Sequence, residues 1–185
     1  MLEVKDLHFS RGGRKLASAL HFELKAGQCI HIAGSNGSGK STLAAILAGD
    51  FKPDSGEVSY QGSLGVLLQD IEIDFPISVS RFIQMGNKKV DISEILNKLD
   101  LIDLADKAIT ELSVGQLQRV ELAQLFVMNP DIWILDEPFS AQDVINTEML
   151  IDLFIELKES GKALVLINHI SLPLKKLVDQ TIYLD

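Results

Sequence analysis

The stretch from Gly34 to Thr42, reading G-S-N-G-S-G-K-S-T, restricts this chain more than any other. It fits the pattern G-x-x-x-x-G-K-[ST], with Gly34 and Gly39 setting the frame and Lys40 and Ser41 closing it. A polyphosphate needs many N–H donors aimed at one small volume, and glycine lets a backbone curl into that nest without a Cβ in the way. Lys40 adds a compact positive charge, and the Ser41 hydroxyl suits Mg²⁺. Lys40–Leu47 reads as a helix whose positive end points at the phosphates. The apolar, β-prone run Cys29–Ala33 before the loop reads as a buried strand. Strand, glycine-rich turn and helix in this order predict a phosphate cradle over Gly34, Ser35, Asn36, Gly37, Ser38, Gly39, Lys40, Ser41 and Thr42. A Gly/Ser surface turn that binds nothing is the weaker reading.

A length of 185 residues suits one domain, or a core domain with a small insert. The formal net charge of −9 argues against a nucleic-acid partner, because phosphate backbones are held by clustered Lys and Arg. Cys29 is the only cysteine, which excludes an internal disulfide and fits core packing in a reducing compartment. The first residues, M-L-E-V-K-D-L, lack the basic start and apolar core of a secretion signal, and no run approaches the ~18 apolar residues that span a bilayer. A membrane role is therefore expected to come through a partner.

Taken in order, Leu2–Leu7 and Ser18–Leu24 read as strands around a turn at Ser10–Arg14. Short strands follow at Glu57–Tyr60 and Leu64–Leu68. From Gln69 onward the pattern changes, and Val79–Met85 and Ser93–Leu99 read as helices of a small insert, with Ser93 a candidate N-cap. Gln116–Met128 carries a helical apolar stripe, Asp131–Leu135 reads as a buried strand, and Thr147–Lys158 as an amphipathic helix. Ala163–Ile167 is an apolar strand, Leu172–Val178 a short helix and Thr181–Leu184 a last strand. Strands alternating with helices imply an α/β fold with a mostly parallel sheet covered on both faces, preceded by an antiparallel part.

A second constellation follows the strand I-W-I-L, which ends in Asp136, Glu137 and Pro138. Ligands of open α/β sheets collect at the carboxyl ends of strands, so both acids are expected in the crevice of Lys40. Asp136 would hold Mg²⁺, and Glu137 would polarise the water that attacks a terminal phosphate. Ser113-Val114-Gly115-Gln116 reads as a capping box, which uses Ser113 and Gln116 locally. Gly115 is a poor residue for a first helical turn, and its presence would let a phosphate approach the N–H groups. His169 follows the strand Ala163–Ile167 at the same edge, where an imidazole could reach a γ-phosphate.

Together these motifs resemble the ATP-binding cassette (ABC) ATPase family along essentially the whole chain: Gly34–Thr42, Gln69, L-S-V-G-Q at Leu112–Gln116, Asp136-Glu137, Ser140–Asp143 and Asn168-His169 appear in the family's order. The resemblance implies a P-loop NTPase fold, with residues 1–68 and 129–185 as nucleotide-binding core and about 70–128 as helical subdomain. It implies ATP and Mg²⁺ as cofactors and a head-to-tail homodimer sandwiching two ATP molecules. Lys40, Ser41 and Gln69 of one subunit would hold phosphates and Mg²⁺, with Ser113, Gly115 and Gln116 of the other closing the site. Glu137 would be the catalytic base, His169 the γ-phosphate sensor, and Asp143 the link between the two sites.

Three positions depart from the family pattern. Val114 stands for a second glycine, Gln142 for a leucine, and Arg11 for the aromatic residue that stacks on adenine; a guanidinium plane can stack in its place. The implied function is the ATP-hydrolysing subunit of a transporter, working with integral membrane permease subunits at the cytoplasmic face of the membrane. Phe75–Val79 and Gln84-Met85-Gly86 resemble zinc or manganese importers, and I-W-I-L-D-E-P-F-S-A resembles haem exporters of cytochrome c maturation; the importer likeness is preferred. A soluble, non-transport ABC ATPase is the other alternative, disfavoured by the short acidic chain. A nucleotide-binding protein that does not hydrolyse is disfavoured by the presence of both Glu137 and His169. Phe75, Ile77, Phe82 and Met85 read as an exposed apolar set that docks the permease.

Overall fold

The computed structural model describes residues 1–68, 75–168 and 174–184, so Gln69 and His169 lie outside the described residues. An antiparallel hairpin opens the chain: β1 (Leu2–Arg11) pairs with β2 (Arg14–Leu24), and β4 (Ser55–Tyr60) joins the other edge of β1. The strands run longer than the sequence predicts because the turn needs only Gly12 and Gly13, at φ 60° and 79°. Two successive positive φ values match the right-handed twist of the flanking strands. Arg11 and Arg14 thereby become direct cross-strand neighbours.

A parallel sheet of five strands follows, in the order β5-β6-β7-β3-β8, with β3 (Cys29–Gly34), β5 (Leu64–Leu67), β6 (Ile132–Asp136), β7 (Ala163–Ile167) and β8 (Gln180–Leu184). Alternation along its central strands divides the core. Ile132, Ile134, Val165 and Ile167 face α1 (Lys40–Ala48) and the hairpin, packing with Leu43, Ile46 and Phe9. Trp133, Leu135, Leu164 and Leu166 face the opposite way, among side chains of α2 (Val79–Gln84), α3 (Ser93–Lys98), α4 (Val114–Met128) and α5 (Val144–Glu159). Each face of β6 and β7 is dry, which is why they read as unbroken apolar runs.

The helix starts differ from prediction for local reasons. Ser93 is not the N-cap of α3; Ile92 is, and Ser93 donates its N–H and Oγ–H to Asp91 Oδ1 at 3.0 and 2.7 Å. Those two donors hold the exposed Asp91 carboxyl below the usual range. α5 begins three residues before Thr147, because Asp143 accepts from the Asn146 N–H at 2.8 Å and caps it. Near the chain's end, the described part of the predicted helix over 172–178 is a single 3₁₀ turn, Leu174–Lys176. The Asp179 N–H donates to the Cys29 carbonyl and its carboxylate accepts from Cys29 N–H and Lys158 Nζ, which commits the chain to β8.

Half-buried Glu121 on α4 has its carboxyl pushed up by burial to about 7. The folded state thus keeps a proton between pH 4.5 and 7 that the unfolded chain has released, so this group's contribution falls as pH rises through that window and stays unfavourable above it. Glu121→Gln is expected to melt higher than wild type at pH 8, by ~1 kcal/mol after discounting for solvent, and the gap is expected to close by pH 5. Thermal melts of both proteins across pH check this, and a gap independent of pH would refute it.

Candidate active site

The phosphate loop joins β3 to α1, and the acid pair leaves β6. β7 lies between them, with Ile167 in register with Ile32 on one side and Asp136 on the other. The loop and the acids therefore emerge from the same carboxyl edge, one strand apart. A cleft of about 570 Å³ results, and both Lys40 and Glu137 line it.

Within the loop, Ser38 N–H donates to Ser35 O at 3.1 Å, and Leu43 N–H to Gly39 O at 2.8 Å. Lys40 is almost buried (7% exposed), and its Nζ donates to Gly34 O at 2.9 Å and Ser35 O at 3.1 Å. Asn36, Gly37, Gly39, Lys40, Ser41 and Thr42 line the cleft, whereas Gly34, the exposed Ser35 and the buried Ser38 do not. Gly39 is the N-cap of α1 at φ 104°, with no side-chain cap and no acid in the first turn. The opening N–H groups of α1 thus keep no capping side chain of their own, which fits an incoming anion.

The far wall comes from the hairpin: Arg11, Arg14 and Leu16. Arg11 Nη1 donates to Thr42 Oγ1 at 3.4 Å, so the guanidinium is tethered to the loop instead of standing free. The sequence reading gives neither Arg14 nor Leu16 a place in the site; recognising Gly12-Gly13 as a two-residue turn would have placed Arg14 opposite Arg11.

Asp136 and Glu137 are both buried, at 2% and 6% exposure. Glu137 has φ 52°, a left-handed backbone that costs a non-glycine residue roughly 1 kcal/mol or more. Its N–H donates to Ile167 O at 2.7 Å, and its carbonyl accepts from Gln118 Nε2 at 2.9 Å. Beyond β7, Asn168 is buried and its Oδ1 lies 2.6 Å from His31 Nε2.

Ser113, Gly115 and Gln116 do not line this cleft. Ser113 and Gln116 form the capping box of α4: Ser113 Oγ accepts from Gln116 N–H at 3.3 Å, and Ser113 N–H donates to Gln116 Oε1 at 3.0 Å. Gly115 has a second reason to be glycine, within its own chain. A Cβ there would lie 2.3 Å from the Ala141 carbonyl oxygen, so packing inside this chain already requires glycine before any phosphate does.

A phosphate loop opposite an acid pair at one sheet edge defines a P-loop nucleoside triphosphatase. The ABC transporter family profile matches residues 17–140. The cytochrome c biogenesis ATP-binding export protein CcmA of Idiomarina loihiensis is 32% identical over 208 residues, covering 100% of this chain and 93% of its own length. An uncharacterized ABC transporter ATP-binding protein of Methanocaldococcus jannaschii, MJ1023, is 34% identical over 192 residues, covering 99% of this chain and 73% of its own length. The dimeric structure of MJ0796, a bacterial ABC transporter cassette, shares the fold at TM-score 0.86 and 23% identity, covering 100% of this chain and 94% of its own. The chain belongs to the ABC transporter family, as an ATP-binding subunit with the ABC-type P-loop fold and ATPase activity.

Proposed function

We propose that this chain hydrolyses MgATP as a head-to-tail homodimer that drives a membrane permease from its cytoplasmic face. One observation carries the reading: Lys40 and Glu137 line a single cleft. In this reading residues 1–68 and 129–185 form the nucleotide-binding core, and about 70–128 the helical subdomain. Ser41 and Asp136 would hold Mg²⁺ together with Gln69, and the metal would neutralise charge on the phosphates. Lys40 and the α1 N–H groups orient the triphosphate, Glu137 takes a proton from the attacking water, and His169 senses the γ-phosphate. Ser113, Gly115 and Gln116 serve the site of the other copy, which agrees with their standing outside the cleft of their own chain. Asp143 would link the two sites. ATPase assays with and without EDTA test the metal requirement.

Among the described residues no helix is long and apolar enough to cross a membrane. A groove of about 760 Å³ beside α2, lined by Phe75, Ile77, Arg81 and Met85 among others, supports permease docking. The docking set needs one correction. Phe82 is 9% exposed and belongs to the core, whereas Phe75 and Met85 are 52% and 56% exposed. Met85→Asp is therefore expected to abolish stimulation by the permease while ATP binding stays within about twofold of wild type. Phe82→Asp instead costs ~3–5 kcal/mol of stability and tests folding, not docking. Co-purification with the permease checks the first, and retention of Met85→Asp in the complex would remove the groove from the interface.

The likeness to CcmA favours export in cytochrome c biogenesis over the import of zinc or manganese. Deleting the gene and staining c-type cytochromes for covalently bound haem tests this. Normal staining with lost uptake of radiolabelled zinc or manganese would return the reading to metal import.

A further inference from the structure

Gln142 lies in the loop between Glu137 and α5, where the family resemblance has a leucine, and its amide is used at both ends. Nε2 donates to the Gly115 carbonyl at 3.0 Å and to Gln118 Oε1 at 2.8 Å. Oε1 accepts from Arg119 Nη1 at 3.1 Å. All three partners sit in the first two turns of α4. Gln118 then spends its own Nε2 on the Glu137 carbonyl. A continuous polar path thus runs from Gly115 through Gln142 and Gln118 to the backbone of Glu137.

Packing along this path is close. Gly115 admits the Ala141 carbonyl where any Cβ would clash, so loop and helix touch backbone to backbone. Arg119 is buried at 7% exposure, and among the described residues its Nε has no hydrogen-bond partner, so the acceptor that Gln142 supplies to Nη1 is costly to remove. The left-handed φ of 52° at Glu137 carries a backbone cost that its surrounding hydrogen bonds offset. Leucine at position 142 could fill the same space, but it would donate and accept nothing.

We propose that Gln142 is a positioning residue for hydrolysis. Through Gln118 it fixes the strained backbone of Glu137, and through Gly115 and Arg119 it locks the start of α4 to the same loop. The two surfaces that the dimer reading assigns to different ATP molecules, Glu137 for one and Ser113–Gly115 for the other, therefore move as one body. This inference rests on Glu137 being the base, as proposed above.

The test uses the full chain with Gln142→Met, which keeps the size and loses the amide, and Gln142→Glu, which keeps an acceptor for Arg119 but sets a carboxylate against the oxygens of Gly115 and Gln118. Both are expected to lower kcat about tenfold with KM for MgATP within about twofold, because the change reaches turnover and not phosphate binding. Gln118→Met, which cuts the same path from its other end, is expected to give a similar loss. The double variant Gln118→Met/Gln142→Met should be no slower than the worse single one. Melting curves and fluorescent-nucleotide titration establish folding; should Gln142→Met not fold, Gln118→Met alone decides. Wild-type kcat in a folded variant, a loss confined to KM, or losses that multiply in the double variant would overturn the proposal. Absence of hydrolysis in wild type, or full activity in Glu137→Gln, would instead sink the hydrolysis reading on which it stands.

Discussion

Glu137→Gln is expected to cut steady-state ATP hydrolysis by about a hundredfold or more while leaving MgATP affinity within about twofold. The substitution keeps the length and planarity of the side chain and removes its capacity to take a proton. It leaves the backbone hydrogen bonds to Ile167 and Gln118 untouched, since both use main-chain atoms of residue 137. The left-handed φ of 52° costs glutamine about what it costs glutamate, so the variant should fold and melt close to wild type. Binding and turnover thereby separate: the phosphates meet Lys40 and the start of α1, whereas Glu137 meets the water. Single-turnover hydrolysis and nucleotide titration on the same preparation measure the two quantities. Equal rates in wild type and variant would place the base elsewhere.

What could be read from the sequence tracks how local the encoding is. The phosphate loop, the acid pair and the α4 capping box are each specified by residues a few positions apart, and each stands where the sequence puts it. The parallel sheet was legible for a similar reason, since β6 and β7 are buried on both faces and leave unbroken apolar runs. Features that depend on one segment meeting another were not legible. Nothing near Gln142 in the chain announces that its amide will meet Gly115, Gln118 and Arg119, which lie more than twenty positions away. Arg14 and Leu16 enter the cleft only because the hairpin folds back, and Phe82 could not be told from a surface residue within a helix of six residues. The start of α5 was available, because Asp143 three positions before Asn146 is an N-cap pattern.

Lys40→Ala is the complementary case, expected to remove nucleotide binding and leave the fold. Nζ donates to the Gly34 and Ser35 carbonyls at 2.9 and 3.1 Å, drawing the loop around the ammonium in a nearly buried position. A triphosphate entering this cleft would bring several negative charges close to the nearly buried ammonium, so losing the one ammonium of the loop is costly. Affinity for MgATP is expected to fall by about a hundredfold or more, equivalent to ~2.7 kcal/mol. The helix itself should survive, because Leu43, Ala44, Ile46 and Leu47 anchor α1 in the core independently of Nζ. Lys40→Arg should not restore binding: a planar fork cannot occupy the compact space between two carbonyls that a point-like ammonium fills. The readout is the rise in melting temperature on adding MgATP, which mass action predicts for wild type and which should vanish in both variants. An undiminished rise in Lys40→Ala would mean that the phosphates are held by other groups, and the cleft shared with Glu137 would no longer define the reaction.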